Sequence, residues 1–357
     1  MKVLHILYSD IGGTFDVVYS IIKKNSNSYW TDKILLTGPN LFDSYKSRAL
    51  KLKIKIDYIR TIRFLPFFFW IEIFLKIKKV NPDIIMLNNN QIFPSILYKL
   101  IYKKKIIYID HNPYFLHKKI SIRIVDILSK YFCDFLITVS KKNYVYYLKK
   151  IQIKKNLKCI SNGINVSFFS KNKKIKSNKN FYIGMAGRIN ETKLQELVIK
   201  SLIKIKKKNI YITFAGDGPK IPLLNKIIQN NYLKNQINFE GKLDSFQLKK
   251  WFHKLDLYVQ ASKGEAMSIS VLQAFAASVP VLASRVNGLK EIINEKKNIG
   301  FLFNNNVTSI TKKLISIMNL NQSNIEKIVD KQKQYVKKYF SEEKMFLEYK
   351  KIIQNLR

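Results

Sequence analysis

Acidic side chains are scarce in this chain. Asp and Glu number 24 against 64 Lys and Arg, a formal net charge of +40 over 357 residues. From Phe135 to Asn190 neither Asp nor Glu occurs. Lysine, isoleucine and asparagine are all abundant, a bias that accounts for much of the lysine but not for this uneven placement. A field of that sign attracts polyanions, whether a membrane surface, nucleic acid or a phosphorylated substrate, and does not choose among them. Cysteine is nearly missing, and the spacing of Cys133 and Cys159 suggests neither a metal site nor a disulfide framework. No stretch reaches the roughly 18 uninterrupted apolar residues of a transmembrane helix. Met1 to Leu7 has neither the long apolar core nor the cleavage site of a signal peptide, so a cytoplasmic location is expected. Apolar residues, by contrast, make up 47% of the chain, ample for globular folding, and the length favours two domains.

Strand and helix signals alternate from the start. Lys2 to Tyr8 reads as a buried strand, followed by the turn Ser9-Asp10-Ile11-Gly12-Gly13-Thr14 and a helical pattern through Val17, Val18, Ile21 and Ile22. Strand, glycine turn and helix make the opening unit of a parallel α/β sheet. Gly12 and Gly13 either let backbone approach a ligand or form an ordinary tight turn. Further strands are expected at Lys33 to Thr37, Ile54 to Tyr58, Ile84 to Leu87, Ile106 to Ile109 and Phe135 to Val139. Helices around Phe69 to Val80, Ile96 to Tyr102 and Ile120 to Tyr131 separate them, which gives a doubly wound first domain over residues 1–165. Residues 166–180, polar and aperiodic from Ser170 onward, read as a linker. The second domain, 181–340, carries strand patterns at Phe181 to Met185, Ile210 to Ala215, Ile237 to Gly241, Leu257 to Val259, Val281 to Ala283 and Gly300 to Phe303. Tyr339-Phe340-Ser341-Glu342-Glu343 is a helix-start signature, and the closing segment 341–357 is expected to hold a helix from Lys344 to Leu356.

Two segments mix aromatics with lysine. Phe64 to Trp70 runs into a helix with Lys76, Lys78 and Lys79, and Tyr144, Tyr146 and Tyr147 lie among Lys149, Lys150, Lys154 and Lys155. Each reads either as an ordinary packed element with solvated lysines or as an interfacial contact with an anionic membrane.

The densest chemistry lies between Asp256 and Ser284, read as strand, polar loop, helix and strand. Ser262, Lys263, Gly264, Ser268 and Ser270 surround the helix start, whose unpaired N–H groups and partial positive charge suit a phosphate. Glu265 sits in the loop, and Gln273 is expected about two turns down the helix, a second hydrogen-bonding station. Arg188 and Lys193 flank a turn after the strand at Phe181, where they either neutralise a diphosphate or pair with solvent at a helix start. His111, in Asp110-His111-Asn112-Pro113, follows a strand and either donates to a substrate hydroxyl or is satisfied by backbone. Gly216-Asp217-Gly218-Pro219 closes another strand. No Asp-X-Asp pair stands in a suitable loop.

In their order and spacing these turns resemble the retaining glycosyltransferases of the GT-B fold, the large group often called family 4. Ser161-Asn162-Gly163-Ile164-Asn165 looks like the family's Pro-Asn-Gly-Val-Asp turn, Gly187-Arg188 with Lys193 like its diphosphate clamp, and Gly216-Asp217-Gly218-Pro219 is its usual tetrapeptide. Cys133-Asp134 through Val139-Ser140 resembles its Ala-Asp…Val-Ser. Glu265 and Gln273 match the glutamate-seven-glutamate signature, with Gln in place of the second Glu. Glu265-Ala266-Met267-Ser268 stands where Gly-Phe-Gly is usual. The resemblance implies two Rossmann-like doubly wound domains facing each other across a cleft, with the last helix crossing back to the first domain.

It further implies transfer of a sugar from a nucleotide diphosphate sugar, expected to be a UDP-sugar, to an acceptor hydroxyl with retention. His111 and Glu265 would be catalytic. Arg188, Lys193, Gly12, Gly13 and the amides of Met267 and Ser268 would meet the diphosphate, and Gln273, Gly216, Glu240 and Gly241 the nucleotide. With fixed cations in place, no metal or other cofactor is expected. The acceptor is expected to be a glycan or lipid-linked glycan of bacterial surface polysaccharide or lipopolysaccharide, with the protein peripheral on the inner face of the membrane. Nucleic acid is not an expected partner. Two alternatives carry different tests. A catalytically weak GT-B protein binding membranes or polyanions through residues 141–180 would give no calorimetric signal with sugar nucleotides. An isomerase of related architecture would turn over donor alone.

Overall fold

The structure, a computed structural model, describes residues 1–9, 13–25, 29–61, 66–170 and 180–356. It divides into two compact units. Unit 1 comprises Met1–Gly163 with Glu342–Arg357, and unit 2 comprises Ile164–Ser341.

Unit 1 is built on seven parallel strands: β1 (Lys2–Tyr8), β2 (Thr31–Gly38), β3 (Ile56–Arg60), β4 (Ile84–Leu87), β5 (Lys105–Asp110), β6 (Phe135–Thr138) and β7 (Leu157–Cys159). Their order is β3-β2-β1-β4-β5-β6-β7. Strands buried on both faces read as continuous apolar runs, as β1 and β4 do. Right-handed crossovers then distribute the helices over both faces. Leu7 faces Phe15, Val18 and Ile22 of the helix Thr14–Lys24. Leu4 and Ile6 face the opposite layer, where Ile73, Ile77, Ile96 and Val125 project from the helices Pro66–Val80, Ile92–Tyr102 and Ile120–Phe132. The order reverses between β1 and β4, and at such a switch point the loops after the strands part and leave room for a ligand.

The last helix, Glu342–Asn355, belongs to unit 1 and packs on the helix Thr14–Lys24 through Met345, Phe346, Tyr349, Ile352 and Ile353. Phe346 lies 6.0 Å from Trp30 between ring centres, and Glu348 pairs with Lys158 at 2.5 Å. The chain therefore passes between units twice. Ile164 and Ser341 form a parallel bridge, with Ile164 N–H donating to Phe340 O at 2.9 Å.

Unit 2 has six parallel strands: β8 (Phe181–Ala186), β9 (Ile210–Ala215), β10 (Ile237–Gly241), β11 (Leu257–Gln260), β12 (Val281–Ser284) and β13 (Phe301–Phe303), in the order β10-β9-β8-β11-β12-β13. Here the switch point lies between β8 and β11. Ile183, Met185, Ile212, Phe214, Leu257 and Val259 form its core with Val198 and Leu202 of the helix Gln195–Ile205.

Several expectations need correction. β7 was not legible because three half-buried residues are too short for a period. The helix Asp43–Lys51 was also unforeseen. The last helix starts at Glu342 rather than Lys344. In the basic segment after Ser140, Tyr147 is fully buried and donates to Asp126 Oδ1 at 2.6 Å, while Tyr146 donates to Oδ2 at 2.9 Å. These two tyrosines therefore satisfy a buried carboxylate instead of lining a membrane stripe, while Val145, Lys149, Lys150, Lys154 and Lys155 are exposed. Phe64 and Leu65 lie outside the described residues, as does most of the expected linker.

Candidate active site

Two loops meet at the switch point of unit 2. The segment after β8 carries Arg188 and Lys193, and the segment after β11 carries Glu265, Met267 and Ser268. They are stitched together by backbone: Lys193 bridges Ser262, Lys263 N–H donates to Thr192 O at 2.9 Å, and Leu194 N–H donates to Ala261 O at 3.1 Å. This stitching places the Lys193 ammonium on the Glu265 carboxylate in a half-buried ion pair. Arg188, on the same loop as Lys193, is exposed, and its carbonyl accepts from Gln195 Nε2 at 3.1 Å.

The helix Ile269–Ala276 opens directly after this pair. Ser268 occupies its N-cap position with extended backbone, yet makes no capping bond. Its hydroxyl lies 3.1 Å from that of Ser270 instead. Elsewhere Ser140, Asn165, Asp244, Asn306 and Asn321 all cap their helices in the ordinary way. Leaving the cap unmade keeps the first-turn amides available to an outside acceptor. Gly288, at φ +81°, presses from behind, and a Cβ there would lie 2.2 Å from Glu265 O and 2.6 Å from Ala266 O. Gln273 is buried in this helix, but only about one turn beyond its first residue, not two. The helix begins later than its sequence suggests because the polar loop extends to Ser268.

Bare backbone lies beside this mouth. Gly216, at φ +145°, sits so close that a Cβ would come within 2.0 Å of Gly187 O, and its N–H donates to Gly241 O at 2.7 Å. Glu240 is exposed at the end of β10 and accepts from Asn238 Nδ2 at 3.1 Å.

In unit 1, Gly13 is the N-cap of the helix Thr14–Lys24, while Gly12 lies outside the described residues. His111 follows β5. Asn88 is oriented by donating through Nδ2 to Met86 O at 3.1 Å, which leaves its Oδ1 facing His111 Nε2 at 3.2 Å. That nitrogen must carry the proton. Desolvation pushes the imidazole down to about 4, against a smaller opposing effect of Asp110, so the ring is neutral near pH 7. A neutral ring protonated at Nε2 has only a lone pair left at Nδ1, which makes that nitrogen an acceptor.

The loop beneath His111 is fixed by a buried network that the sequence did not reveal. Asp110 accepts from Asn112 N–H at 3.0 Å and Asn143 Nδ2 at 2.7 Å, with His117 Nε2 at 3.2 Å. His117 Nδ1 donates to Asp126 Oδ2 at 2.8 Å. Burial alone would lower the His117 pKa, but hydrogen bonds and charge from Asp110 and Asp126 outweigh it and hold it at about 9.

Residues 167–339 match the model of a family described as glycosyl transferases group 1. Over that stretch, most of unit 2, the sequence belongs to that family. An uncharacterized glycosyltransferase of Methanocaldococcus jannaschii is 28% identical over 314 residues, covering 81% of this chain and 79% of the relative. An O-antigen biosynthesis glycosyltransferase of Escherichia coli, WclY, is 29% identical over 171 residues, 46% of this chain and 47% of that one. Among solved structures, HepE of Anabaena in complex with UDP-glucose superposes with a TM-score of 0.84 at 16% identity, covering 99% of this chain and 100% of that one. The fold of this glycosyltransferase is thus GT-B.

Sequence reasoning on this glycosyltransferase overlooked the support of Glu265. Gln260, fully buried at the end of β11, donates to Glu265 Oε1 at 2.9 Å and accepts from Tyr258 at 2.6 Å and Ser270 at 3.1 Å. A glutamine closing an otherwise apolar strand was the available signal, since a buried amide must find partners. Among the described residues, no group of three or more His, Cys, Asp and Glu could hold a metal ion, and no helix is long and apolar enough to cross a membrane.

Proposed function

We propose that this glycosyltransferase moves a sugar, with retention, from a UDP-sugar to a hydroxyl of a glycan or lipid-linked acceptor in surface polysaccharide or lipopolysaccharide synthesis. The observation that carries the reading is the uncapped mouth of the helix Ile269–Ala276, with Lys193 and Glu265 joined at its edge. The O-antigen role named for the Escherichia coli relative and the UDP-glucose bound to HepE support it.

When the C1–O bond to the diphosphate breaks, charge builds on the departing phosphate oxygens. Arg188, Lys193 and the amides of Met267 and Ser268 meet that charge with dipoles and cations already in place, which is where catalysis of this kind gains most. Lys193 turns from Glu265 to the phosphate, and Glu265, held by Gln260, receives the sugar hydroxyls. Gly216, Glu240, Gly241 and Gln273 hold the nucleoside, and Gly13 adds an amide to the diphosphate. His111 accepts from a sugar hydroxyl through Nδ1. With cations fixed in the protein, the reaction runs without a metal. We place the protein in the cytoplasm, peripheral on the inner membrane face, where a lipid-linked acceptor resides.

Calorimetry with a panel of UDP- and GDP-sugars, with and without EDTA, tests this directly. A UDP-sugar should bind equally in both conditions, and Lys193→Ala should weaken UDP by about tenfold or more, as expected for a charge-assisted phosphate contact. Silence across the panel would favour a binding protein that has lost catalysis. Proton NMR of the product's anomeric centre then decides retention against inversion.

A further inference from the structure

We infer that the outward face of three neighbouring helices in unit 1 is the surface that rests on an anionic lipid bilayer. This deepens the membrane placement proposed above and moves it away from the basic segment after Ser140, whose tyrosines are turned inward.

The central helix, Ile92–Tyr102, has Lys99 as its one charged residue, and that lysine pairs with Asp134 at 2.6 Å. Ile92, Ile96 and Tyr98 pack on the sheet, while Phe93, Leu97, Leu100 and Ile101 point outward, Leu100 being 62% exposed. Their spacing, i, i+4, i+7 and i+8, puts them on one stripe. A surface helix ordinarily carries polar residues there. Both flanking helices repeat the anomaly. Pro66–Val80 buries Phe69, Ile73 and Ile77 and exposes Phe68, Ile71 and Leu75. Ile120–Phe132 exposes Ile120, Ile124, Ile127 and Tyr131, again i, i+4, i+7 and i+11, with Ile120 78% exposed. Trp70 and Phe93 lie 4.8 Å apart between ring centres and close the seam between the first two helices. Three stripes side by side form a contiguous apolar surface of the kind that marks an interaction site.

Charge selects the occupant. Exposed cations stand at the ends and edges of these helices: Lys78, Lys79, Lys103, Lys118, Lys119 and Arg123. Acids in the same stretch are Glu72, Asp83, Asp110 and Asp126. Asp83 is bonded to Lys104 at 2.9 Å, and Asp110 and Asp126 are buried, which leaves Glu72 as the one exposed acid on the three helices. A second copy of this face would set cation against cation. A bilayer with anionic headgroups takes both parts at once, the apolar stripes at the acyl boundary and the lysines on phosphates.

Sedimentation of the full chain with phosphatidylglycerol–phosphatidylcholine vesicles, and with phosphatidylcholine alone, tests the assignment. The wild type should bind the anionic vesicles, less so at high salt. Leu97→Ser, Leu100→Ser and Ile124→Ser together should lower partition at least about tenfold, since these side chains would no longer enter the acyl boundary. The substitutions are at exposed positions, and unchanged circular dichroism and UDP binding would show the fold and donor site intact. If the triple variant binds like wild type while Lys149, Lys150, Lys154 and Lys155 changed to Gln abolish binding, the face is wrongly assigned although the membrane placement stands. If the wild type binds no vesicle, the placement itself fails. A dimer in size exclusion that the triple variant dissolves, without vesicle binding, would assign the face to self-association and overturn the inference.

Discussion

His117→Gln should destabilise unit 1 in a strongly pH-dependent manner. His117 is buried against Asp110 and Asp126 and titrates at about 9, whereas an unfolded histidine titrates near 6.5. A folded pKa above the unfolded value means that the native state holds the proton more tightly. The resulting stability is complete below about pH 6.5, falls as pH rises, and is gone above about 9. The difference amounts to about 3 kcal/mol, at about 1.4 kcal/mol for each pH unit of separation. The variant should therefore cost about that much at pH 6 and little of it at pH 9.5. Hydrogen exchange of peptides from the helix Ile120–Phe132 reads this locally, with protection at pH 6 falling roughly a hundredfold. Equal losses at pH 6 and pH 9.5 would refute the reasoning. His111 provides a control of opposite sign. Its folded pKa of about 4 lies below the unfolded one, so its contribution is present above about 6.5 and is lost as pH falls toward 4. His111→Asn should flatten the acid limb and leave the alkaline one alone.

Three further outcomes follow from the geometry. Gln273→Glu should tighten donor binding about fivefold, because a carboxylate accepts a ribose hydroxyl more strongly than an amide does; unchanged affinity for both donor and free UDP would remove Gln273 from the ribose. Gly288→Ala should impair donor binding far more than folding, since its Cβ would meet the carbonyls of Glu265 and Ala266 and displace that loop; full UDP affinity in calorimetry would contradict this. A chain ending at Ser341 should leave unit 1 unfolded and unit 2 able to bind UDP, as Met345, Phe346, Tyr349, Ile352 and Ile353 all bury against unit 1; a cooperative unit 1 melt in that truncation would show the helix to be dispensable.

How far the sequence carried depends on the physics of each feature. Twelve strands of the thirteen were foreshadowed by short apolar runs, because parallel strands covered on both faces have no other way to be written. The glycines of the unit 2 loops were equally plain, and Gly216 stands where any side chain would strike Gly187. What escaped was everything created by pairing at a distance. Gln260 under Glu265, and His117 between Asp110 and Asp126, are unremarkable letters until the fold brings them together. The tyrosines after Ser140 misled for the same reason, since alternation with lysine suggests a surface while Asp126, far back in the chain, draws them inward.

The double passage between the units makes unit 2 an insertion within unit 1, with its ends tied together by the bond from Ile164 to Phe340. During synthesis the sheet of unit 1 leaves the ribosome before unit 2, yet its closing helix, Glu342–Asn355, is made only after unit 2. Unit 2 can complete its core while its host still lacks a wall. Until then the surface meant for Phe346, beside Trp30, stays uncovered, so this is where a holding chaperone would find its longest opportunity.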